Sequence, residues 1–360
     1  MSDVVISGYY GFRNNGDDAL LMSIINDLKA KKPDIDIVVL SKNPAETKKI
    51  YNVRAVSRQN VLKLLKELRN TKMLISGGGT LIQDGTSTKS LLYYLSIIKA
   101  ASMLGKKVML YANGIGPLKS EANRKRTKNV LDKVDVITLR DETSFVELKE
   151  IGVKAPKIEI TADPAFRLEF DYDAKDTEKP EKTMLVSVRP WKELASDFCD
   201  VIAKVCDYAN SEYGLKVAFL PMQQKYDREI TEKIRSLMKS ESVVIGADYD
   251  IKRLLSLFSD MSLCVGMRLH TLIYSAVSCV PLVGLVYDPK VSGFLDYIGN
   301  DNYIDAREVS FNQLKEAIDL GMSNCEEQKS VLLNKREELR KKAERNAELA
   351  IDLLLGGESK

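Results

Sequence analysis

The sequence predicts an α/β protein of two Rossmann-like, doubly wound domains followed by a long C-terminal helix. Three observations predict this class. Short β-rich runs alternate with segments of helical periodicity, one almost wholly charged stretch interrupts the alternation, and the chain ends in a helical pattern free of proline. The chain has 360 residues, 44% of them hydrophobic, so each of two domains can bury its own core.

The first domain is predicted over residues 1–170. Its β-rich runs fall at 4–7, 36–40, 73–76, 107–112, 134–139 and 158–161, and helical spacing marks segments such as 19–30 and 91–104. The stretch 171–183 (DYDAKDTEKPEKT) offers almost nothing to bury and contains Pro180. It is therefore predicted to link the two domains.

The second domain is predicted over residues 184–325. Its strands are expected at 184–188, 216–220, 242–245, 262–265 and 281–285, with helices such as 198–210 and 271–277. Residues 326–360 form a separate, highly charged helix whose pattern ends at Gly356. Two such domains joined by a linker are typical of the GT-B architecture. Because ligands of doubly wound sheets bind at the carboxyl ends of the strands, a cleft lined by strand-to-helix loops is expected.

Composition excludes several classes of protein. Lys and Arg number 54 and Asp and Glu 51, a net charge of +3 that is too balanced for a dedicated nucleic-acid binder. No apolar run reaches the roughly 20 residues of a membrane-spanning helix and no signal-peptide pattern is visible, so a cytoplasmic protein is expected. The five cysteines form no CxxC pair and are expected to be reduced thiols without a metal. The basic stretch 119–133 is either a solvated helix face or a surface attracted to an anionic membrane.

The loop after the first strand, residues 8–18, combines three glycines with short polar side chains. Asn14, Asn15 and Asp17 are candidate ligand-binding residues. They equally suit a turn that only caps the following helix, which is predicted to start near Ala19.

A second glycine-rich loop is predicted at 76–84. Gly78 and Gly79 allow backbone amides to approach a ligand, although close packing of helix on sheet explains them as well. Gln83 and Asp84 are candidate partners of sugar hydroxyls.

Arg140 and Asp163 each follow a later strand of the first domain. Both side chains are therefore expected at the carboxyl edge of its sheet. There they contact a ligand or simply form an ion pair with each other.

The most informative segment is Gly266-Met-Arg-Leu-His270, which follows a strand and precedes a helix predicted to begin at Thr271. Arg268 presents a permanent planar charge that suits phosphate or carboxylate, and the helix N-terminus adds partial positive charge. His270 is the single histidine of the chain, so imidazole chemistry has one candidate. Arg189 follows another strand of this domain and is a second candidate cation.

These motifs resemble those of the polysaccharide pyruvyl transferases. The features that carry the resemblance are Gly8-Tyr-Tyr-Gly-Phe-x-Asn-x-Gly-Asp17-Asp18-Ala19, Gly77-Gly78-Gly79 with Gln83-Asp84, Arg140-Asp-Glu-x-Ser144, Asp163-Pro164 and Gly266-Met-Arg-Leu-His270. The resemblance covers residue 1 to about residue 300 and is closest to the bacterial CsaB branch, which pyruvylates cell-wall polymers that anchor S-layer proteins.

The resemblance implies a GT-B-like fold, phosphoenolpyruvate as donor and a 4,6-linked pyruvyl ketal on a sugar as product. For this branch it implies N-acetylmannosamine on an undecaprenyl-diphosphate-linked precursor, and hence peripheral contact with the cytoplasmic face of the membrane. The reaction has no redox step, so neither a metal nor a cofactor is expected.

The chemistry of this donor suggests roles for the candidate residues. Its phosphate and carboxylate are expected to bind guanidinium groups and helix-end amides, at Arg268, Leu269, His270, Arg189 and Arg140. Protonation of its methylene carbon requires a general acid, for which His270 is the candidate. Asp17 is the first candidate for the base, while Asp163 and Asp84 remain open. The acceptor sugar is expected at Asn14, Asn15, Asp17, Gly78, Gly79, Gln83, Asp84 and Asp163.

Two other classes stay open. A Leloir glycosyltransferase or a nucleotide-sugar epimerase uses the same two-domain fold, although the second half shows no convincing acidic and aromatic pair for a nucleoside. A non-catalytic sugar-binding protein is the third class, and the joint presence of Arg268, His270 and the glycine-rich loops argues against it. Stabilisation by phosphoenolpyruvate rather than by a uridine diphosphate sugar discriminates the first two classes.

Overall fold

The computed structural model describes residues 1–169, 182–246 and 251–356. The chain divides into two compact units, one made of Met1–Leu168 with Leu339–Lys360 and the other of Glu169–Glu338. The predicted linker 171–183 lies outside the described residues, apart from Lys182 and Thr183.

The first unit contains one parallel sheet. Its strands are β1 (Ser2–Ser7), β2 (Ile37–Ser41), β3 (Arg54–Ser57), β4 (Thr71–Ser76), β5 (Gly79–Ile82), β6 (Lys107–Ile115), β7 (Val136–Leu139) and β8 (Lys157–Ile160). The spatial order is β3-β2-β1-β4-β6-β7-β8, and β5 pairs with β6. Because the chain reverses its direction of travel across the sheet between β1 and β4, the carboxyl ends of these two strands form a topological switch point, where doubly wound folds bind ligands.

The helices of the first unit cover both faces of this sheet. They are α1 (Asn15–Lys31), α2 (Pro44–Tyr51), α3 (Val61–Arg69), α4 (Thr88–Met103), α5 (Glu121–Leu131) and α6 (Glu142–Ile151), with a 3-10 helix at Pro164–Arg167. The side chains of Val4 and Met73 on one face of the sheet and of Val5 and Leu74 on the other face are wholly buried. This double coverage explains why the central strands are continuous apolar runs.

The second unit repeats the arrangement. Its strands are β9 (Thr183–Ser187), β10 (Lys216–Phe219), β11 (Ser242–Val244), β12 (Leu263–Gly266), β13 (Leu282–Val286) and β14 (Tyr303–Asp305), all in parallel pairs. Their order, β11-β10-β9-β12-β13-β14, places the switch point between β9 and β12. The helices are α7 (Phe198–Tyr213), α8 (Gln224–Leu237), α9 (Ile251–Ser259), α10 (Leu269–Val277), α11 (Pro289–Tyr297), α12 (Phe311–Ser323) and α13 (Cys325–Leu355). The predicted fold class, with two doubly wound parallel sheets and a long C-terminal helix, is confirmed.

The division between the two units falls inside α13, whereas the sequence indicates one separate element over 326–360. The C-terminal part of this helix binds the first unit through buried polar contacts. Thr161 Oγ1 donates a hydrogen bond of 2.8 Å to Asn346 Oδ1, and Asn346 Nδ2 donates one of 3.2 Å to the carbonyl oxygen of Ala162. Lys31 and Glu344 add an ion pair of 2.6 Å.

Several predictions of short strands and of the first residues of helices are wrong. The strands β3, β5 and β14 are three or four residues long and are not predicted from the sequence. The loop prediction over 76–84 is therefore wrong for Gly79–Ile82, which pairs with β6 despite its initial glycine. Helix α1 begins at Asn15 rather than near Ala19, and α10 begins at Leu269 rather than at Thr271.

Two predictions from composition, on the cysteines and on membrane-spanning helices, can be compared with the structure. All five cysteines are free thiols in the structure. Among the described residues, no helix has both the length and the apolar character that crossing a membrane requires.

Candidate functional site

The Asp17 edge is the group of residues at the carboxyl ends of β1, β4, β7 and β8 in the first unit. Asn14 caps α1 and accepts a hydrogen bond of 3.2 Å from the Gly16 amide. Because α1 begins at the next residue, Asp17 lies in its first turn, where it is only 8% exposed. The polar loop before α1 thus caps this helix and also places the Asp17 carboxylate at the switch point.

Asp17 is an unusual aspartate because of its surroundings. Burial, followed by the negative charges of Asp18 and Asp163, raises its pKa, while Arg140 and a hydrogen bond with Asn14 act in the opposite direction. The net result is a pKa of about 8. Such a carboxyl is a stronger base than an ordinary aspartate, and it carries a proton over much of the neutral range.

Arg140 and Asp163 form the ion pair that the sequence suggested. Arg140 Nη1 lies 3.1 Å from Asp163 Oδ2, and both side chains are 5% exposed. The guanidinium also donates to Thr80 Oγ1 at 2.9 Å and to Asp141 Oδ2 at 3.4 Å. Arg140 thus belongs to the first unit and already binds three side chains there.

The three consecutive glycines pack closely at this edge. A Cβ atom on Gly77 would lie 2.1 Å from the hydroxyl oxygen of Tyr10, and one on Gly78 would lie 3.3 Å from Leu20. Gly79 has a φ of +93°, and a Cβ there would lie 3.2 Å from Asp17 Oδ1. Packing therefore accounts for the first two glycines, whereas Gly79 lets the backbone pass beside the Asp17 carboxylate.

Gln83 and Asp84 are not grouped with Asp17. Asp84 accepts hydrogen bonds from the amides of Lys119 and Ser120 at 2.8 and 3.1 Å and from Asn123 Nδ2 at 2.8 Å. These contacts lower its pKa and fix the chain at the start of α5. Gln83 bonds to the backbone amide and the hydroxyl of Thr86 in the same loop. Asn15 is the first residue of α1 and is half-buried.

The Arg268 edge is the group of residues at the carboxyl ends of β9, β12 and β13 in the second unit. Gly266 ends β12, and a Cβ there would lie 2.7 Å from Leu272 Cδ2, so glycine at this position leaves room for the packing of Leu272. Arg268 is the N-cap residue of α10, which places Leu269 and His270 in the first turn. His270 is half-buried, and its ring centroid lies 6.1 Å from that of Tyr274.

Asp227 is a functional candidate that the sequence did not reveal. It lies on α8, is 0% exposed, and holds Arg268 with both carboxylate oxygens, at 3.0 Å from Nε and in a second contact with Nη2. It also accepts a hydrogen bond of 3.0 Å from the Gln223 amide. Its signal in the sequence is only an acidic residue near the start of a helix that follows a strand, which is too common to single it out.

Arg189 and two aromatic residues complete the Arg268 edge. Arg189 Nη1 donates a hydrogen bond of 3.0 Å to the Tyr287 hydroxyl, and its guanidinium lies 5.0 Å from the Tyr287 ring and 5.3 Å from the Trp191 ring. The two rings are in contact at 4.8 Å. The Nε atom of Arg189 is buried and makes no hydrogen bond, which leaves a donor for a ligand. Lys290, at the start of α11, pairs with Asp288 at 3.5 Å.

The two edges differ in charge and suit different parts of a reaction. The Arg268 edge presents guanidinium groups at a helix N-terminus, an arrangement that binds phosphates and carboxylates. The Asp17 edge presents buried carboxylates, an arrangement that accepts protons from hydroxyl groups. Among the described residues, no group of three or more His, Cys, Asp or Glu side chains is arranged to hold a metal ion.

Two parallel doubly wound units with polar carboxyl edges define a protein of the GT-B-like fold class. The sequence model of the family described as polysaccharide pyruvyl transferase matches residues 14–289, which include both edges. This chain belongs to that family. A curated relative, the amylovoran biosynthesis protein AmsJ of Erwinia amylovora, is 22% identical over 364 aligned positions, which cover 82% of this chain and 86% of AmsJ.

Solved structures confirm the GT-B-like fold. MnaA of S. aureus in complex with UDP has a TM-score of 0.70 at 10% identity, covering 100% of this chain and 98% of that chain. A putative UDP-N-acetylglucosamine 2-epimerase from Listeria monocytogenes has a TM-score of 0.71 at 11% identity with the same coverage. HepE of Anabaena in complex with UDP and glucose has a TM-score of 0.66 at 11% identity, covering 99% and 100%. At these identities the likeness concerns the fold alone.

Proposed function

We propose that this protein transfers the pyruvyl group of phosphoenolpyruvate to a sugar of a lipid-linked cell-wall polysaccharide precursor, forming a 4,6-ketal and releasing phosphate. The observation that carries the proposal is the first turn of α10, where Arg268 is fixed by the buried Asp227 and His270 follows two residues later. Membership in the polysaccharide pyruvyl transferase family supports the same activity.

The donor is assigned to the Arg268 edge. Arg268 and Arg189 bind the phosphate and carboxylate, aided by the backbone amides of the first helical turn, including that of Leu269. Arg140 was a third candidate from the sequence. Because its guanidinium already binds Thr80, Asp141 and Asp163, we assign it to the Asp17 edge, where it moderates the pKa of Asp17.

The proposed reaction has two balanced steps. In the first, one hydroxyl oxygen of the sugar bonds to C2 of the donor, the hydroxyl proton goes to a base, and His270 delivers a proton to the methylene carbon, which becomes a methyl group. In the second, the other hydroxyl of the same sugar bonds to C2 and the C2–O bond to phosphate breaks. The phosphate leaves with the electron pair of that bond and takes up the proton of the second hydroxyl, and the ketal ring is closed.

The acceptor is assigned to the Asp17 edge. Asp17 takes the hydroxyl proton, because its raised pKa makes it a stronger base than Asp84, whose pKa is lowered. Asn14, Asn15 and Asp163 provide polar contacts to the sugar, and Gly79, without a side chain, lets the backbone pass beside the Asp17 carboxylate. Asp84, whose oxygens cap the start of α5, is left out of the reaction.

The acceptor is proposed to be an N-acetylmannosamine unit on an undecaprenyl-diphosphate-linked precursor, as in the CsaB branch. Such an acceptor requires peripheral association with the cytoplasmic face of the membrane. Electrostatic association is screened by salt, so a salt wash is expected to release the protein.

One assay tests the activity. The protein is incubated with phosphoenolpyruvate and a lipid-linked saccharide that contains N-acetylmannosamine, and phosphate release is measured with the mass of the saccharide product. Phosphate release that depends on the acceptor, with a pyruvyl group gained by the sugar, supports the proposal. Thermal stabilisation by a uridine diphosphate sugar but not by phosphoenolpyruvate would instead favour a glycosyltransferase or an epimerase.

A further inference from the structure

The first turn of α3 carries two neighbouring aliphatic side chains that the first unit does not bury. Leu62 is 82% exposed, the largest value among the exposed large apolar residues of the described chain, and Val61 is 64% exposed. In the same helix, Leu64 and Leu68 are buried and attach it to the core. Val61 and Leu62 are therefore not needed for packing α3, and their apolar surface is available to a binding partner outside the first unit.

The rest of the exposed face of α3 is basic. Residues four and seven positions apart share a helix face, so Lys66 and Arg69 continue the line of Leu62, with Lys63 beside it. All three cations are exposed. The one acidic residue of the helix, Glu67, lies 3.8 Å from Arg54. Apolar residues flanked by lysines are the pattern of helices that lie in the surface of an anionic bilayer.

This end of α3 is connected to the Asp17 edge. The preceding loop contains Arg58, whose Nη1 donates a hydrogen bond of 3.1 Å to the carbonyl oxygen of Gly8. The Arg58 guanidinium also lies 5.1 Å from the ring of Phe12 and 4.3 Å from that of Tyr93. Gly8 and Phe12 belong to the loop that leads to Asp17, so the contacts of Arg58 connect the exposed aliphatic pair to the Asp17 edge.

We propose that Val61 and Leu62 insert into the surface of an anionic bilayer, with Lys63 and Lys66 binding lipid phosphates around them. This inference rests on the proposed function, because the membrane contact would bring the Asp17 edge to a lipid-linked acceptor. The basic stretch 119–133 is a weaker membrane contact. On α5, Arg124 pairs with Glu150 and Lys128 with Asp132, and none of the exposed large apolar side chains of the described residues lies on that helix.

The test is co-sedimentation of the full chain with vesicles. Vesicles of phosphatidylglycerol and phosphatidylcholine in equal parts are expected to bind the protein, and vesicles of phosphatidylcholine alone to bind it much less. Leu62→Asp is expected to lower the partition coefficient about tenfold or more, because it places a charge where an aliphatic side chain entered the bilayer. The double variant Lys63→Glu/Lys66→Glu is expected to lower it by at least about 25-fold, since two attractions become repulsions.

Matched controls separate insertion from general surface effects. Val146→Asp changes another exposed aliphatic residue of the same unit, 48% exposed on α6, and is expected to leave vesicle binding unchanged. The double variant Lys125→Glu/Arg126→Glu on α5 is expected to reduce binding less than the lysine reversal on α3. Leu62→Trp is expected to bind at least as well as the original chain, because tryptophan favours the interface, and a folding defect would not produce that result.

Three results would overturn the proposal. The first is Leu62→Asp binding vesicles as the original chain does, and the second is the α5 variant losing more binding than the α3 variant. The third is a concentration-dependent dimer of the original chain that Leu62→Asp abolishes, since the occupant would then be a second copy. Calorimetric titration with phosphoenolpyruvate keeps the two proposals apart, because donor binding needs no membrane and its absence would count against the proposed function alone.

Discussion

The Asp17 edge and the Arg268 edge occupy the same topological position in two sheets of similar strand order. They differ in how their buried charges are paired. At the Arg268 edge, the buried carboxylate of Asp227 meets the guanidinium of Arg268 on two sides. At the Asp17 edge, the Arg140 cation binds Asp163 and Asp141, and Asp17 is buried beside a second aspartate, Asp18. One edge thus holds a fixed cation, and the other holds a carboxyl group with a raised pKa.

Under the proposed function, this difference divides the transfer reaction between the two edges. An anionic donor gains most from guanidinium groups that are held in place before it arrives, because little reorganisation is then needed on binding. A hydroxyl acceptor gains most from a carboxylate of raised basicity. The comparison therefore predicts that changes at the Arg268 edge alter donor affinity, with His270 as the exception, and that changes at the Asp17 edge alter proton transfer.

The largest effect is expected from His270→Ala. General acid catalysis is typically worth about 10² to 10⁴ in rate, so kcat is expected to fall by that factor while the donor Kd changes little. Initial rates and calorimetric donor titration measure the two quantities separately. A variant with nearly normal kcat would remove His270 from the reaction and leave the Arg268 edge as a binding site only.

The second effect concerns the pH dependence of Asp17. As a base, Asp17 acts only after losing its proton, so kcat/KM is expected to rise with pH through about 8, and Asp17→Asn is expected to abolish this limb. Asp84→Asn is the control, because its carboxylate caps α5 and has a lowered pKa. A limb near pH 8 that survives in Asp17→Asn would assign the base to another group.

Stability gives an independent measurement of the same group. In the unfolded chain Asp17 ionises near its ordinary 3.8, whereas in the folded chain it retains its proton to about 8. The folded state therefore binds more protons between these values, and the free energy of unfolding falls as the pH rises from about 4 to 8. Asp17→Asn is expected to be more stable than the original chain at pH 8, with a difference that shrinks toward pH 4. Denaturant unfolding at several pH values tests this.

Sequence periodicity predicts the alternation of strands and helices well, because both sheets are buried on both faces and their strands are apolar throughout. It fails at β5, whose first residue is glycine and whose pairing with β6 depends on distant residues. Candidate residues that follow strands, such as Arg268 and Arg189, are found because the topology brings all parallel carboxyl ends to one edge.

Residues that act through other residues are not found this way. Asp227 lies 41 positions before Arg268, and only the tertiary fold, which brings the start of α8 to the start of α10, places the two side chains in contact. The raised pKa of Asp17 is equally invisible in the sequence, because it arises from burial and not from composition. Asp84 is a further example, since its place in a glycine-rich motif suggested a ligand role, and only the structure reveals that its carboxylate caps α5.

The third effect separates the stability of the Arg268 edge from its donor affinity. Arg268→Ala leaves Asp227 as an uncompensated buried charge, which is expected to destabilise the protein by about 3 to 5 kcal/mol. It also removes a charge-assisted contact worth about 1.5 to 3 kcal/mol, so the donor Kd is expected to rise by one to two orders of magnitude. The double variant Arg268→Ala/Asp227→Asn is expected to recover most of the stability and none of the affinity. If the double variant recovered both the stability and the donor affinity measured by calorimetric titration, Arg268 would be a structural residue and not a donor ligand.

The smallest effect is expected from Tyr287→Phe. The Tyr287 hydroxyl accepts the 3.0 Å hydrogen bond that orients Arg189, while the aromatic ring that packs against Trp191 is retained in phenylalanine. Loss of one such hydrogen bond is worth about 0.5 to 1.5 kcal/mol, so the donor Kd is expected to rise about two- to tenfold with kcat nearly unchanged. Tyr303→Phe is the control, because its hydroxyl donates to Asp296 and not to an arginine of this edge. Equal effects of the two substitutions would show that the Arg189 contact does not orient a donor ligand, and the Arg268 edge would then depend on Arg268 and the helix N-terminus alone.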